Sequence, residues 1–469
     1  MPSLTDSQAQ GKAARKQCPR GSHSHPGNVD RDPLALIEAS SKGRVKSLVA
    51  LRYGRMLVSP FTFYRGSALL QAHDLAGTPD MGLAVPLCGD AHLMNFGGFA
   101  TPERNLVFGV NDFDEAHPGP WEWDLKRLVA SFLIAARDLR HGASVEEQVC
   151  REVVNAYQAT LILCAQQGAL NTWYGQISYK DLLGQAQTSR TLEHVRQAME
   201  KAARRTHAEL LPKIVDRDDQ GRMTIRDDLP EIFHLHKDSS LLDSNDDWLA
   251  VRRWQPLYKG LMADYRLTLQ ADRRELLSRF EVHDLAFKVV GVGSVGTRCM
   301  VALLTDELQQ PLFLQFKEAR RSVLADYVKP RSPYKHNGQR VVEGQRLMQP
   351  ASDLFLGWTS GPGGRHFYVR QLRDMKVSAE LETFDDETLV AYARICGRAL
   401  GRAHAKASGE AALISGYIGS GERMADALYA YAQAYAAQNE KDYQCFQQAC
   451  RSGRLLARSE ADFTADRMP

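Results

Sequence analysis

The sequence predicts an α+β fold in two lobes, one small and strand-rich, the other larger and helical. Three observations carry this. Residues 284–317 break into three short apolar runs, 285–290, 299–304 and 312–317, separated by turn residues, as strands do. Long stretches of helical periodicity lie on both sides, at 123–168, 388–407 and 425–448. A second pair of strand-like runs, 84–88 and 106–110, flanks a loop at 89–99 inside the N-terminal helical part.

The 469 residues suffice for one two-lobed domain with an insertion. Residues 1–32, rich in Ser, Gln, Gly, Lys and Arg, read as a disordered leader. Residues 33–170 carry the first part of the helical lobe. Residues 171–279 are more charged and contain a turn signal at 216–221, and they read as an insertion that covers substrate. Residues 280–378 form the strand-rich lobe, and 379–469 supply helices that complete the helical one.

A net charge of +3 is too small for a protein that coats nucleic acid, so no such partner is expected. No apolar run approaches the roughly 18 residues that span a bilayer, so no membrane partner is expected either. The eight cysteines are scattered without a CxxC pair and read as free thiols of a reducing cytosol, which implies a cytoplasmic location. The sequence assigns no oligomeric state.

The segment Gly89-Asp90-Ala91-His92-Leu93-Met94-Asn95 places a carboxylate five positions before an amide, in a loop after a strand. A further strand leads to Asn111-Asp112-Phe113-Asp114-Glu115. Phosphoryl transfer needs this set: one carboxylate takes or orients the attacking group's proton, and an amide oxygen and a second carboxylate hold Mg2+ against nucleotide phosphates.

These motifs, with Gly119-Pro120-Trp121-Glu122-Trp123-Asp124-Leu125, resemble the aminoglycoside-phosphotransferase and choline-kinase branch of the protein-kinase-like superfamily. The resemblance implies Asp90 as catalytic base, Asn95 and Asp112 as metal ligands, and Asp114 as an alternative metal ligand. It also implies His92 near the transferred phosphate and Asp124 as an anchor for the catalytic loop. Cys88 stands where that branch usually has His, and Asn111 where it usually has an aliphatic residue.

Gly291-Val292-Gly293-Ser294-Val295-Gly296 fits a dinucleotide site and a kinase phosphate loop equally well. The stretch after these glycines favours the kinase loop, because 299–304 reads as a strand where a dinucleotide site needs a helix. Gly291, Gly293, Ser294 and Gly296 are therefore expected at ATP. Alternation on 312–317 puts Leu312, Leu314 and Phe316 on one face and Gln315 and Lys317 on the other. Lys317 is expected to grip phosphates, and Glu343, on the helical run 339–348, to hold it. The strand 366–372 leads to a hinge at which backbone groups of Gln371 and Leu372 meet adenine, and the basic Arg370, Arg373 and Lys376 lie along the same stretch.

The catalytic loop here precedes the glycine loop, the reverse of the usual kinase order. Joining the C-terminal helix at 392–407 to the segment before Asp90 restores that order, so the pattern resembles a circular permutation. The segments 59–66, 88–95, 111–115, 291–298, 340–349 and 368–376 also resemble the DUF2252 family of bacterial proteins, which brings Arg65 into the candidate site. The resemblance implies a phosphotransferase that uses ATP and Mg2+. Only the six residues 115–120 separate Asp114 from Trp121, too few for a long activation loop, so a small-molecule hydroxyl or amine is the expected acceptor. Adenylyl transfer and non-catalytic ATP binding are the alternatives.

Overall fold

A computed structural model describes residues 3–185, 188–234, 246, 248, 254–372 and 375–465. Leu4–Ala14 forms α1, Lys46–Met56 α2 and Pro60–Gly66 α3. Ala84–Leu87 is β1, Phe96–Ala100 β2, Leu106–Val110 β3 and His117–Pro120 β4. Trp121–Asp138 then forms α4, buried along almost its whole length together with its charged residues Glu122, Asp124, Lys126 and Arg127. Pro120 precedes it without a side-chain cap, and Asp124 in its first turn suits the positive end of the helix dipole. Ala143–Tyr174 is α5, interrupted at Gly168.

The region 171–279 contributes β5 (Ile177–Ser178), α6 (Ser189–Ala203), α7 (His207–Ile214), the hairpin β6–β7 (Val215–Arg217 and Met223–Ile225), β8 (Ile232–Phe233) and α8 (Trp254–Leu267). After it come β9 (Glu281–Lys288), β10 (Cys299–Thr305) and β11 (Pro311–Glu318), then α9 (Asn337–Met348). Gly357–Ser360 is β12, His366–Gln371 β13 and Val377–Ser378 β14. Asp386–Ser408 is α10, Ala411–Ile418 α11 and Glu422–Arg451 α12.

Strands β12-β13-β11-β10-β9-β8 make one antiparallel sheet. Its alternation is as expected: Leu312, Leu314 and Phe316 pack into a core with Tyr265 and Leu261 of α8. On the other face Phe313 meets Leu210 of α7 and Met223 and Ile225 of the hairpin. A second sheet, β14-β2-β3-β5, and the pair β1–β4 sit in the helical part. There α10 lies closely along α5, and a Cβ on Gly397 would come 2.4 Å from the Val153 carbonyl oxygen.

The expected disordered leader is instead ordered from Ser3 onward. Ser3 and Asp6 form a capping box for α1. Arg15 donates to the carbonyls of Tyr417 (2.8 Å) and Gly416 (2.6 Å) at the end of α11, and His23 meets the Tyr417 hydroxyl at 2.6 Å. Arg31 bridges two buried carboxylates, Asp74 at 2.8 Å and Asp442 at 2.7 Å. Polar composition misleads here because these polar side chains are spent on unpaired helix-end carbonyls and on buried charges rather than on water. Among the described residues no helix is long and apolar enough to cross a membrane.

Replacing Arg31 by Met leaves Asp74 and Asp442 buried without their cation. The expected loss is about 3 kcal/mol of unfolding free energy, read from urea denaturation at neutral pH.

Candidate active site

The β1–β4 pair brings the loop 88–92 beside the loop 111–116. Asp124 in the first turn of α4 fixes the first loop: its Oδ2 accepts from Cys88 N at 2.8 Å and its Oδ1 from Gly89 N at 3.0 Å. His404 of α10 meets the same Oδ2 at 3.2 Å through Nε2 and the Tyr157 hydroxyl at 2.9 Å through Nδ1. The C-terminal helix thus reaches the loop, and Asp124 is the expected anchor. Gly89 has φ +83°, and a Cβ there would lie 2.2 Å from Glu115 O, so no larger residue fits between the loops.

Asp90 Oδ1 accepts from Arg127 Nε at 2.8 Å, and Arg127 is itself held by Gln71 Oε1 (2.8 Å) and Tyr64 O (2.9 Å). Burial pushes the Asp90 carboxyl up against the opposing pull of Arg127. His92 Nε2 lies 3.8 Å from Asp90 Oδ2. Burial, with Arg65 and Arg127 nearby, keeps this imidazole well below its usual pKa and therefore neutral. Asn95 Nδ2 donates to Asp90 O at 2.8 Å, which leaves its side-chain oxygen as the atom to face a metal.

Asp112 Oδ1 accepts from Asp114 N at 3.0 Å. Asp114 gathers three donors: Lys317 Nζ (2.6 Å), Ser294 Oγ (3.0 Å) and the Tyr368 hydroxyl (2.8 Å). Burial opposes ionisation of Asp114, but Lys317 and Tyr368 overcome it and hold the carboxyl down at about 2. Asp112 goes the other way, raised by burial and by the neighbouring Asp114. Lys317, 3.8 Å from Asp112 as well, is kept charged by the two carboxylates in spite of burial.

The glycine loop joins β9 to the antiparallel β10, so a strand and not a helix comes after it. Arg44 donates to Val295 O (2.6 Å) and Gly293 O (2.8 Å). Ser294 N and Val295 N both donate to Gly291 O, so these two amides are engaged within the loop. Gly296, at φ +84°, turns the chain into β10 beside Arg44.

These residues surround one cavity of about 870 Å³. Asp90, His92, Asn95, Asp112, Asp114, Gly291, Gly293, Ser294, Lys317, Arg65, Arg370, Gln371 and Leu372 all line it. Residues 44–449 match a family described as uncharacterized proteins conserved in bacteria (DUF2252). The chain belongs to the DUF2252 family. No curated protein and no solved structure matches it.

Three expectations fail in this DUF2252 site, the first being Gly296, which was expected at ATP and does not line the cavity. Glu343 does not hold Lys317: it pairs with Arg346 one turn along its own helix (3.0 Å) and lies outside the cavity, while Asp114 takes the lysine. The backbone of Gln371 and Leu372 is already engaged. Gln371 N donates to Asp353 Oδ2 (2.6 Å), Leu372 N to Phe313 O (3.0 Å), and Leu372 O meets His207 Nε2 at 3.0 Å. Of the described residues of 171–279, Glu231 alone lines the cavity, while α7 and the β6–β7 hairpin pack on the sheet.

Arg370 Nε donates to Gln315 Oε1 at 3.1 Å, and Lys376 also lines the cavity; Arg373 lies outside the described residues. Burial and the nearby Arg370 bring Lys376 down to about 7. Cys88 is buried, with its thiol pushed well up, and does not line the cavity. Arg44, Arg127 and Tyr368 were not singled out by sequence. Arg127 was legible in principle, three residues after Asp124 and so on the same helix face. Tyr368 lies opposite Lys317 in the β11–β13 register, which only the fold reveals.

Replacing Lys317 by Met removes the cation that touches both Asp112 and Asp114 and leaves Arg370 as the nearest remaining positive charge. The expected cost near neutral pH is about 3 kcal/mol. Both folded-state carboxyls then sit above the unfolded value of about 3.9. The folded protein therefore binds more protons than the unfolded chain, and the deficit shrinks as pH falls from 7 toward 4. Urea unfolding of both proteins across that range checks it.

Proposed function

We propose that this protein is a magnesium- and ATP-dependent phosphotransferase of kinase-like, circularly permuted architecture, acting on a small-molecule hydroxyl or amine. The observation that carries the reading is the convergence of Asp90, Asn95, Asp112, Asp114, Lys317 and the glycine loop on one cavity from three separate stretches of chain. A second support is the strand after the glycines, where a dinucleotide site would need a helix.

The oxygens of Asn95 and Asp112 are hard ligands of the kind magnesium takes, whereas both oxygens of Asp114 are occupied by Lys317, Ser294 and Tyr368. Among the described residues no group of three or more His, Cys, Asp or Glu is placed to hold a metal. Magnesium bound by one or two carboxylates keeps water and phosphate oxygens as its other ligands. Bound there, magnesium would neutralise charge on the phosphate oxygens.

The chain's own residues have distinct tasks. Asp90 accepts the acceptor's proton; burial makes it the better base, and Arg127 fixes which oxygen is presented. Neutral His92 beside it offers a ring nitrogen without adding charge. Lys317 meets phosphate oxygens from the opposite wall, with Asp114 in the steering role expected of Glu343. Two loop amides are engaged with Gly291 O, so Lys317, Arg370 and Arg65 carry most of the phosphate recognition.

Thermal and urea unfolding with and without magnesium-ATP test this. A ligand at about 100 times its dissociation constant adds roughly 2.7 kcal/mol of stability. Wild type and Glu343→Gln should both gain it, and Asp112→Asn and Lys317→Met should lose most of it. No stabilisation of the wild type at millimolar nucleotide overturns the reading. With binding established, ADP release on adding an acceptor supports phosphoryl transfer, whereas AMP attached to the acceptor replaces it with adenylyl transfer.

A further inference from the structure

Two histidines hold the start of α9. His336 precedes the helix, and its Nδ1 accepts from Gln339 N at 3.2 Å. His366, the first residue of β13, accepts from Asn337 N at 3.0 Å through its own Nδ1. The two rings stack, with centroids 3.9 Å apart and planes 26° from parallel. A ring nitrogen that accepts from a backbone amide must be the bare one, so each imidazole carries its single proton on Nε2 and is uncharged. His336 Nε2 lies 3.3 Å from Ser360 Oγ of β12. A helix leaves four amides unpaired at its N-terminus, and here two of them are satisfied by imidazole rather than by the Ser, Thr, Asp or Asn usual at that place.

Protonation undoes this arrangement in three ways. It takes the lone pair that each amide uses, it sets two like charges face to face, and it places both at the positive end of the helix dipole. Burial holds both imidazoles below their usual range, and for His336 the neighbouring ring adds to it and brings the value down to about 4. Asp264 of α8 pulls His336 the other way. Arg365, beside His366, is turned to Glu318 at 3.7 Å and Asp246 at 3.9 Å, and Lys335, beside His336, is exposed. Both rings are only half-buried, so protons reach them from solvent.

The start of α9 is also tied to the candidate active site. A Cβ on Gly338 would lie 2.2 Å from Phe367 O, so the helix begins hard against β13. Arg340, two residues further on, donates to Asp114 O (2.8 Å), Arg320 O (2.7 Å) and Ala116 O.

We propose that the His336–His366 pair is a pH-sensitive latch: uncharged, it clamps the start of α9 to β13, and protonation releases that turn and, through Arg340, loosens the loop that carries Asp112 and Asp114. The latch is independent of the phosphotransferase reading and can be measured without nucleotide. Opening returns each imidazole to its usual value of about 6.5. The open form then binds more protons than the closed one, so the hold of the latch is complete above about pH 6.5 and is lost as pH falls toward 4.

Hydrogen–deuterium exchange of the full-length protein at pH 7 and pH 5, read by mass spectrometry and divided by the intrinsic amide rate at each pH, tests this. In wild type, protection of the amides of 337–340 and of 113–116 should fall at least about tenfold between the two pH values. His336→Asn keeps a capping oxygen that does not titrate, and His366→Gln removes the second proton site. In the double variant the fall at 337–340 should shrink to about twofold or less, and the fall at 113–116 should shrink with it. His336→Asn alone replaces the double variant should that fail to fold, as judged by circular dichroism, and should reduce the fall at 337–340 at least about threefold. Unchanged protection of 337–340 in wild type overturns the proposal, as does an undiminished fall in a folded variant. A fall at 337–340 that leaves 113–116 unaffected, or a fall at 113–116 equal in wild type and variant, overturns the transmission through Arg340.

Discussion

Asp124 is buried, and both its oxygens are occupied, by two backbone amides of the loop that carries Asp90 and by His404. A carboxylate removed from water must find such partners or lose its charge, so each of these groups fixes the others. The first turn of α4 cannot shift without moving the Asp90 loop, and that loop cannot shift without moving α10. Arg127, one turn further along α4, then sets the direction of the Asp90 carboxylate itself. The helical half of the site is therefore aligned by one helix that supplies an anchor and a steering cation three residues apart. The helix is rigid because it is buried on every side.

A second buried charge joins the strand-rich half to this frame. Asp114 belongs to the loop after β3, yet its donors come from β11, β13 and the glycine loop. Its neighbour Asp112 is 3.8 Å from the same lysine and is pushed toward the neutral form. The two carboxylates thus differ in role through environment alone: one is a fixed structural anion and the other is the more readily altered. A multivalent cation near Asp112 would reverse its upward shift, because an opposite charge favours the ionised form.

Much of this was legible. Strand alternation on 312–317 gave the correct face for Lys317 because a sheet with a core on one side punishes any slip of register. The ordered set Asp90, Asn95 and Asp112 was legible because local spacing around two short strands is preserved in the fold. Glu343 was misread because separation along the chain does not say which carboxylate faces a lysine; the one that does is a loop residue more than two hundred positions upstream. The leader was misread because composition averages over Arg15 and Arg31, whose individual partners decide the matter. The backbone of Leu372 was misread because His207 reaches it from a distant helix, a meeting that no local pattern encodes.

What the site requires is that particular groups be held within a few ångströms, and the holding is done by packed helices and sheet registers rather than by connections. The N-terminal segment and the C-terminal helices illustrate this. Arg15 is spent on the end of α11 and Arg31 on Asp442 of α12, so the N-terminal segment is bound to the C-terminal helices through side chains and helix-end carbonyls. A break between Asp124 and Arg127 would separate the anchor of the Asp90 loop from the cation that orients its carboxylate.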